Sequence, residues 1–127
     1  MFTKEDIAKH PILKTFPKNE YWITAGSGLV MHNIRLQTRD IDVGCSTMLA
    51  DLLIQQGANW QLMKDGTRRV EATDEIELFE NWHVDSIVEI DGLCVASLES
   101  IRKQKVELNR EKDWIDIALI DEVISKS

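Results

Sequence analysis

Two aspartates stand two residues apart in the run Thr38-Arg39-Asp40-Ile41-Asp42-Val43, with Ala25-Gly26-Ser27-Gly28 upstream. In an extended chain alternate side chains leave on the same face, so Asp40 and Asp42 point together and Ile41 and Val43 point the other way. Two carboxylates on one face form a hard oxygen site that suits Mg²⁺ or Mn²⁺. Acidic residues are poor strand formers and like charges repel, so the pair carries a cost that a cation between them removes. The bland alternative is a solvated edge face, and the apolar Ile41 and Val43 argue for a buried strand instead. A Gly-Ser turn opening a helix is a place for phosphate, and Gly26 and Ser27 offer backbone N–H groups and a hydroxyl. Metal and phosphate sites this close in sequence are the components of nucleotidyl transfer.

A phosphoryl-transfer site of this kind usually takes a third carboxylate. Glu77 in Ile76-Glu77-Leu78-Phe79 is the best candidate, because Ile76 and Leu78 fall on the opposite face; Glu71 in Arg69-Val70-Glu71-Ala72 is the runner-up. Arg39, Arg68, Arg69, Lys105, Arg110 and Lys112 are candidate phosphate or base contacts, and Lys105 is the pointed one because it falls on the apolar side of its helix. His10, His32 and His83 are scattered and read as structural or surface residues. No nucleophile motif supports Ser-His-Asp or Cys-His catalysis, and no Gly-Lys-Ser/Thr phosphate loop occurs.

These residues need elements to hold them. Thr3 to Phe16 reads as a helix capped by Thr3, shortened or kinked at Pro11 and ended by Pro17. Tyr21 to Ala25 reads as a strand, broken by Gly26-Ser27-Gly28, and Leu29 to Ile34 as the helix that packs back on it. Arg39 to Cys45 is the strand bearing the aspartates. Ser46 or Thr47 caps a helix over Met48 to Gln56, stopped by Gly57. Asn59 to Lys64 and Thr67 to Ala72 are strands joined by Asp65-Gly66, a strong hairpin signal. Glu75 to Phe79 is a further strand and Val84 to Val88 another; a turn falls within Ile90 to Val95. Ser97 or Ser100 starts a helix through Asn109. Glu111 to Ile124 is the last helix, with Trp114, Ile117, Ile120, Val123 and Ile124 as its apolar stripe. The order predicts an α+β chain with a mixed β-sheet flanked by helices.

The 127 residues suit one domain, residues 1–127: an N-terminal helix in 1–18, a sheet with helices in 20–95 and a helix pair in 97–125. A 43% hydrophobic and 29% charged composition is that of a soluble globular protein. No apolar run is long enough to span a membrane, and the charged start MFTKEDIAKH lacks the apolar core of a signal peptide, so the expected address is the cytoplasm. Cys45 and Cys94 have no metal-ligand spacing and read as buried thiols. The net charge of −7 argues against extended nucleic acid as a partner, yet admits a nucleotide carried in with its cation.

Gly26-Ser27 followed by Asp40-Ile41-Asp42 resembles the nucleotidyltransferase superfamily with the DNA polymerase β-like fold. Its pattern is a Gly-Gly or Gly-Ser turn, a helix, then Asp-x-Asp on the next strand. The C-terminal run is also similar to a tail seen in that group: Val95 to Ile101, then Lys105, then Arg110-Glu111-Lys112-Asp113-Trp114-Ile115-Asp116-Ile117. The likeness covers roughly residues 20 to 122, and is to small bacterial members of the antibiotic-type and toxin–antitoxin-type enzymes. It implies Asp40, Asp42 and Glu77 as catalytic residues and Mg²⁺ (or Mn²⁺) ligands, an NTP as donor, and Gly26, Ser27, Arg39, Lys105 and Lys112 as nucleotide contacts. Many members have Asp where this chain has Glu77. The acceptor implied is a hydroxyl on a small molecule or protein, with a homodimer completing its pocket, since the chain has little room for the helical domain of larger relatives. The competing reading is a non-catalytic, antitoxin-like nucleotide- or partner-binding module on the same fold.

Overall fold

The computed structural model describes residues 1–126. Elements follow in chain order: β1 (Phe2–Thr3), α1 (Lys4–Ala8), a 3₁₀ turn (Leu13–Thr15), β2 (Tyr21–Thr24), α2 (Ala25–Met31), β3 (Gln37–Thr38), β4 (Ile41–Cys45) and α3 (Thr47–Gln55). Then come β5 (Asn59–Leu62), β6 (Arg68–Glu71), β7 (Ile76–Glu80), β8 (Ile87–Ile90), β9 (Leu93–Ala96), α4 (Leu98–Leu108) and α5 (Glu111–Ser125). The protein is α+β, with a seven-stranded mixed sheet in the order β5-β6-β7-β4-β2-β9-β8 and a two-stranded antiparallel piece, β1 with β3. Within the large sheet β2/β9 and β4/β7 are parallel and the other neighbours are antiparallel.

The local signals explain most boundaries. Thr3 caps α1 in a reciprocal box with Asp6, and the helix ends before Pro11. It does not run to Phe16: Pro11 cannot continue the ladder, and only the short 3₁₀ turn follows. The Ser46 hydroxyl accepts the Leu49 N–H at the start of α3, and Gly57 beyond its end takes φ +99°. Gly66, at φ +87°, turns β5 into β6. Ser97 caps α4, and Asn109 ends it in the left-handed region.

Further expectations need correction. The helix after β2 begins at Ala25 rather than Leu29, so Gly26 and Ser27 lie in its first turn instead of breaking the chain before it. The strand expected at 84–88 lies at 87–90, and the Asp91-Gly92 turn, with φ of +52° and +81°, leads into β9, which the sequence did not announce. All four residues of β9 are buried, so it has no alternating pattern to read.

Both faces of the sheet are covered. On one, Ile23, Val43, Leu78, Val70 and Val95 lie in register and join Ile7 of α1 and Leu49 of α3 in the larger core. On the other, Trp22 packs with Leu29 of α2, Ile101 of α4 and Ile120 of α5. Trp114 and Val123, expected in the buried stripe of α5, are 48% and 40% exposed; α5 buries Asp113, Asp116, Ile117 and Ile120, and Ile124 packs at the margin of the Trp22 cluster.

Trp22 depends on a glycine. Gly44 lies opposite it across β2 and β4, and a Cβ at Gly44 would fall 1.9 Å from Trp22 Nε1. Gly44→Ala should therefore cost about 1–3 kcal/mol or prevent folding, because the buried indole has no room to shift. Urea unfolding checks this; a variant as stable as the parent would overturn it. The Nε1–H of Trp22 is itself buried without a hydrogen-bond partner among the described residues.

Candidate active site

The sheet register places the carboxylates. Asp42 on β4 lies directly opposite Thr24 on β2 and Glu77 on β7, and Glu77 lies opposite Glu71 on β6. Directly opposite residues share a face, so Thr24, Asp42, Glu77 and Glu71 form one polar row, with neighbouring strands about 4.8 Å apart. Asp40 precedes β4 and is exposed, in a bend where the Thr38 hydroxyl donates to the Asp40 carbonyl at 3.2 Å.

A cleft of about 850 Å³ opens beside this row, lined by Gly26, Arg39, Asp40, Asp42, Lys105 and Lys112 among others. Glu77 and Ser27 are not in its wall. Ser27 is fully buried. Its hydroxyl accepts the Asp42 N–H at 3.1 Å and has the carbonyls of Thr24 and Asp42 within 2.8 and 3.0 Å as acceptors. The phosphate-binding hydroxyl expected of Ser27 is thus turned inward, where it fastens α2 to β4 at Asp42. Backbone strain sits at the same junction, since Ala25 takes φ +53°, a conformation costly for a residue with a Cβ.

The electrostatics centre on Asp42. Burial, and then the neighbouring charges of Glu77 and Asp40, push its carboxyl up to about 6, with Arg69 pulling the other way. Its carboxylate has no hydrogen-bond or ion-pair partner among the described residues. Because this pKa is raised on folding, the native state binds the proton more tightly than the unfolded chain does. Stability is then fullest below about pH 4 for this group and declines as pH rises through about 6. Chemical denaturation between pH 4 and 8 in the absence of divalent cations should show that decline, and Asp42→Asn should remove it.

Glu77 is engaged by Arg69, whose Nε lies 2.8 Å from Oε2 and whose NH2 lies 3.1 Å from Oε1. Among the described residues no three His, Cys, Asp or Glu side chains are gathered to hold a metal ion. Asp42 and Glu77 are set side by side, Asp40 is near enough to raise the Asp42 pKa, and a guanidinium stands on Glu77 where a cation would. Carboxylate oxygens are the donor type that Mg²⁺ or Mn²⁺ takes, and Asp42 and Glu77 are the two that the register sets side by side.

Part of the cleft wall carries cations, several of them tied down by carboxylates. Lys105, 93% buried, lies 3.0 Å from Asp116 and 3.6 Å from Asp113. Asp116 also accepts Arg35 NH2 at 2.7 and 2.8 Å, which ties α5 to the chain before β3. Asp113 accepts the Arg110 backbone N–H and guanidinium, and those bonds hold its carboxyl down to about 2. Arg39 and Lys112 line the cleft with no ion-pair partner among the described residues. Sequence reasoning did not single out Arg35 or Gln104. The Gln104 amide accepts the Thr24 hydroxyl at 2.6 Å and donates to the His83 carbonyl at 2.6 Å, joining α4 to the polar row.

Cys45 and Cys94 are buried free thiols, and burial pushes the Cys45 thiol up to about 12, which makes it inert. His32 packs inside with its ring nitrogen 2.8 Å from the Ala96 carbonyl. No helix of the described residues is long and apolar enough to cross a membrane. Searches of protein-family models, curated proteins and solved structures found no match to this chain.

Proposed function

We propose that this protein is a divalent-cation-dependent nucleotidyltransferase of polymerase β-like fold. It moves a nucleoside monophosphate from an NTP to a hydroxyl on a small molecule or protein, with release of pyrophosphate. The observation that carries the reading is the β4–β7 register, which sets Asp42 beside Glu77 at the edge of a cleft that also holds Asp40 and unpaired cations.

Asp40, Asp42 and Glu77 would hold the cation. Once bound, Mg²⁺ or Mn²⁺ would offset the triphosphate charge and make the α-phosphorus a better electrophile. Arg39 and Lys112, which line the cleft with no ion-pair partner among the described residues, would take the triphosphate, and Lys105 lies beside them, held by Asp116. Gly26 leaves room for the Arg35 and Thr38 side chains at the cleft, and Ser27 holds Asp42 by its backbone. The acceptor oxygen bonds to the α-phosphorus, the bond to pyrophosphate breaks, and the hydroxyl proton passes to a carboxylate of the row. The protein's part is positioning and charge neutralisation. With a net charge of −7, a small cationic acceptor suits the surface better than a long polyanion, and a second copy would complete the acceptor pocket.

The test is incubation with each labelled NTP, Mg²⁺ or Mn²⁺ and a panel of hydroxyl acceptors, scored for pyrophosphate. Release that depends on an acceptor is expected. Mg-nucleotide binding without release under any combination would favour the second reading, a non-catalytic nucleotide-binding module. The observation favouring that reading is that no three carboxylates are gathered among the described residues.

A further inference from the structure

Arg69 is on the same face of β6 as Glu71, and both lie beside β7, where Glu71 faces Glu77 and Arg69 faces Phe79. Three carboxylates therefore follow one another across the sheet as Glu71, Glu77 and Asp42, and like charges directly opposite destabilise a strand pair. The Arg69 guanidinium grips both oxygens of the middle one. It reaches neither oxygen of Asp42, whose carboxylate stays without a direct partner.

We propose that Arg69 is a positioning residue that stands in for the divalent cation, holding Glu77 beside Asp42 in the metal-free protein and leaving Glu77 when the cation arrives. The inference rests on the cation-dependent reading above. One positive charge placed on Glu77 relieves the row only in part, whereas a divalent ion between Asp42 and Glu77 serves both carboxylates. Exchange is cheap: the Arg69 and Glu77 side chains are 34% and 32% exposed, and ion pairs at that exposure contribute little. The released guanidinium has open solvent to enter, and its length and fork suit it to a phosphate.

Calorimetric titration of Mn²⁺ into the wild type, Arg69→Gln, Arg69→Lys and Asp42→Asn tests this without any turnover. Arg69→Gln should bind Mn²⁺ roughly two- to fivefold tighter than wild type, because the competing cation is gone. Its thermal midpoint should be lower without Mn²⁺ and gain more from it. Arg69→Lys, which keeps the charge, should stay near wild type. Arg69→Met, which keeps the aliphatic stem, replaces the Gln variant if that one does not fold. Mn²⁺ binding to Arg69→Gln that is equal to or weaker than wild type, with Asp42→Asn still defective, overturns the role of Arg69 alone. Absence of Mn²⁺ binding to every form overturns the cation-dependent reading and this inference with it.

Discussion

Asp42→Asn should reduce nucleotidyl transfer by roughly a thousandfold or more while making the metal-free protein more stable at pH 7 to 8. The loss follows from taking a carboxylate from the cation's ligands: a bound metal contributes several kcal/mol of transition-state stabilisation, and each 1.36 kcal/mol is a factor of ten in rate. The gain follows from the same residue's burial. A carboxyl raised to about 6 from 3.8 is penalised when ionised in the fold, and a neutral amide of the same shape escapes that penalty, which is on the order of 3 kcal/mol. Activity and stability should therefore move in opposite directions, the signature of a residue kept for chemistry at a cost to the fold. Pyrophosphate assays and thermal unfolding in EDTA read the two effects. An Asn variant that binds Mg-nucleotide as tightly as wild type would remove Asp42 from the cation site.

Asp116→Ala is expected to be the most destabilising change in the cationic wall, by about 3–5 kcal/mol. Its carboxylate is 5% exposed and serves both Lys105, at 3.0 Å, and Arg35, at 2.7 Å. Truncation strands the Lys105 ammonium, only 7% exposed, with Asp113 at 3.6 Å as its remaining partner, and Asp113 is already claimed by Arg110. An uncompensated buried charge is the costly outcome of breaking such a network. Adding Lys105→Met to Asp116→Ala should recover at least half of the loss, because the stranded charge goes with it. Urea unfolding of the two variants checks this. A single-variant loss below about 1 kcal/mol would mean that the network contributes little, as exposed ion pairs do.

The local grammar of the chain was largely readable. Thr3, Ser46, Gly57, Asp65-Gly66 and Ser97 are signals that act over a few residues, and each marks the boundary or turn it announced. Alternation in Ile41 to Cys45 and Ile76 to Glu80 fixed which side chains turn inward, because a buried face and a polar face cannot be exchanged without burying charge. Lys105 on the apolar side of α4 was also legible, as a charge at helical spacing among core positions; its partners were not. The strand β9 was missed because its four buried residues show no alternation and lack the aromatic run that announced the equally buried β2.

What the sequence determined by itself was therefore the donor chemistry: Asp42 on a strand, a further carboxylate on another strand, and cations near the C-terminus; the strand expected from Arg39 begins only at Ile41, which leaves Asp40 in the bend before it. Only the tertiary structure decided who meets whom. Pairing of β4 with β7 brings Asp42 against Glu77, and pairing of β6 with β7 brings Arg69 onto Glu77. The helix pair sets Lys105 in the cleft wall, and α2 turns Ser27 inward to hold Asp42. Strand pairing and helix docking join residues far apart in the chain through burial and register, which no local spacing encodes. Those contacts seat an arginine on Glu77, one of the carboxylates proposed to hold the cation.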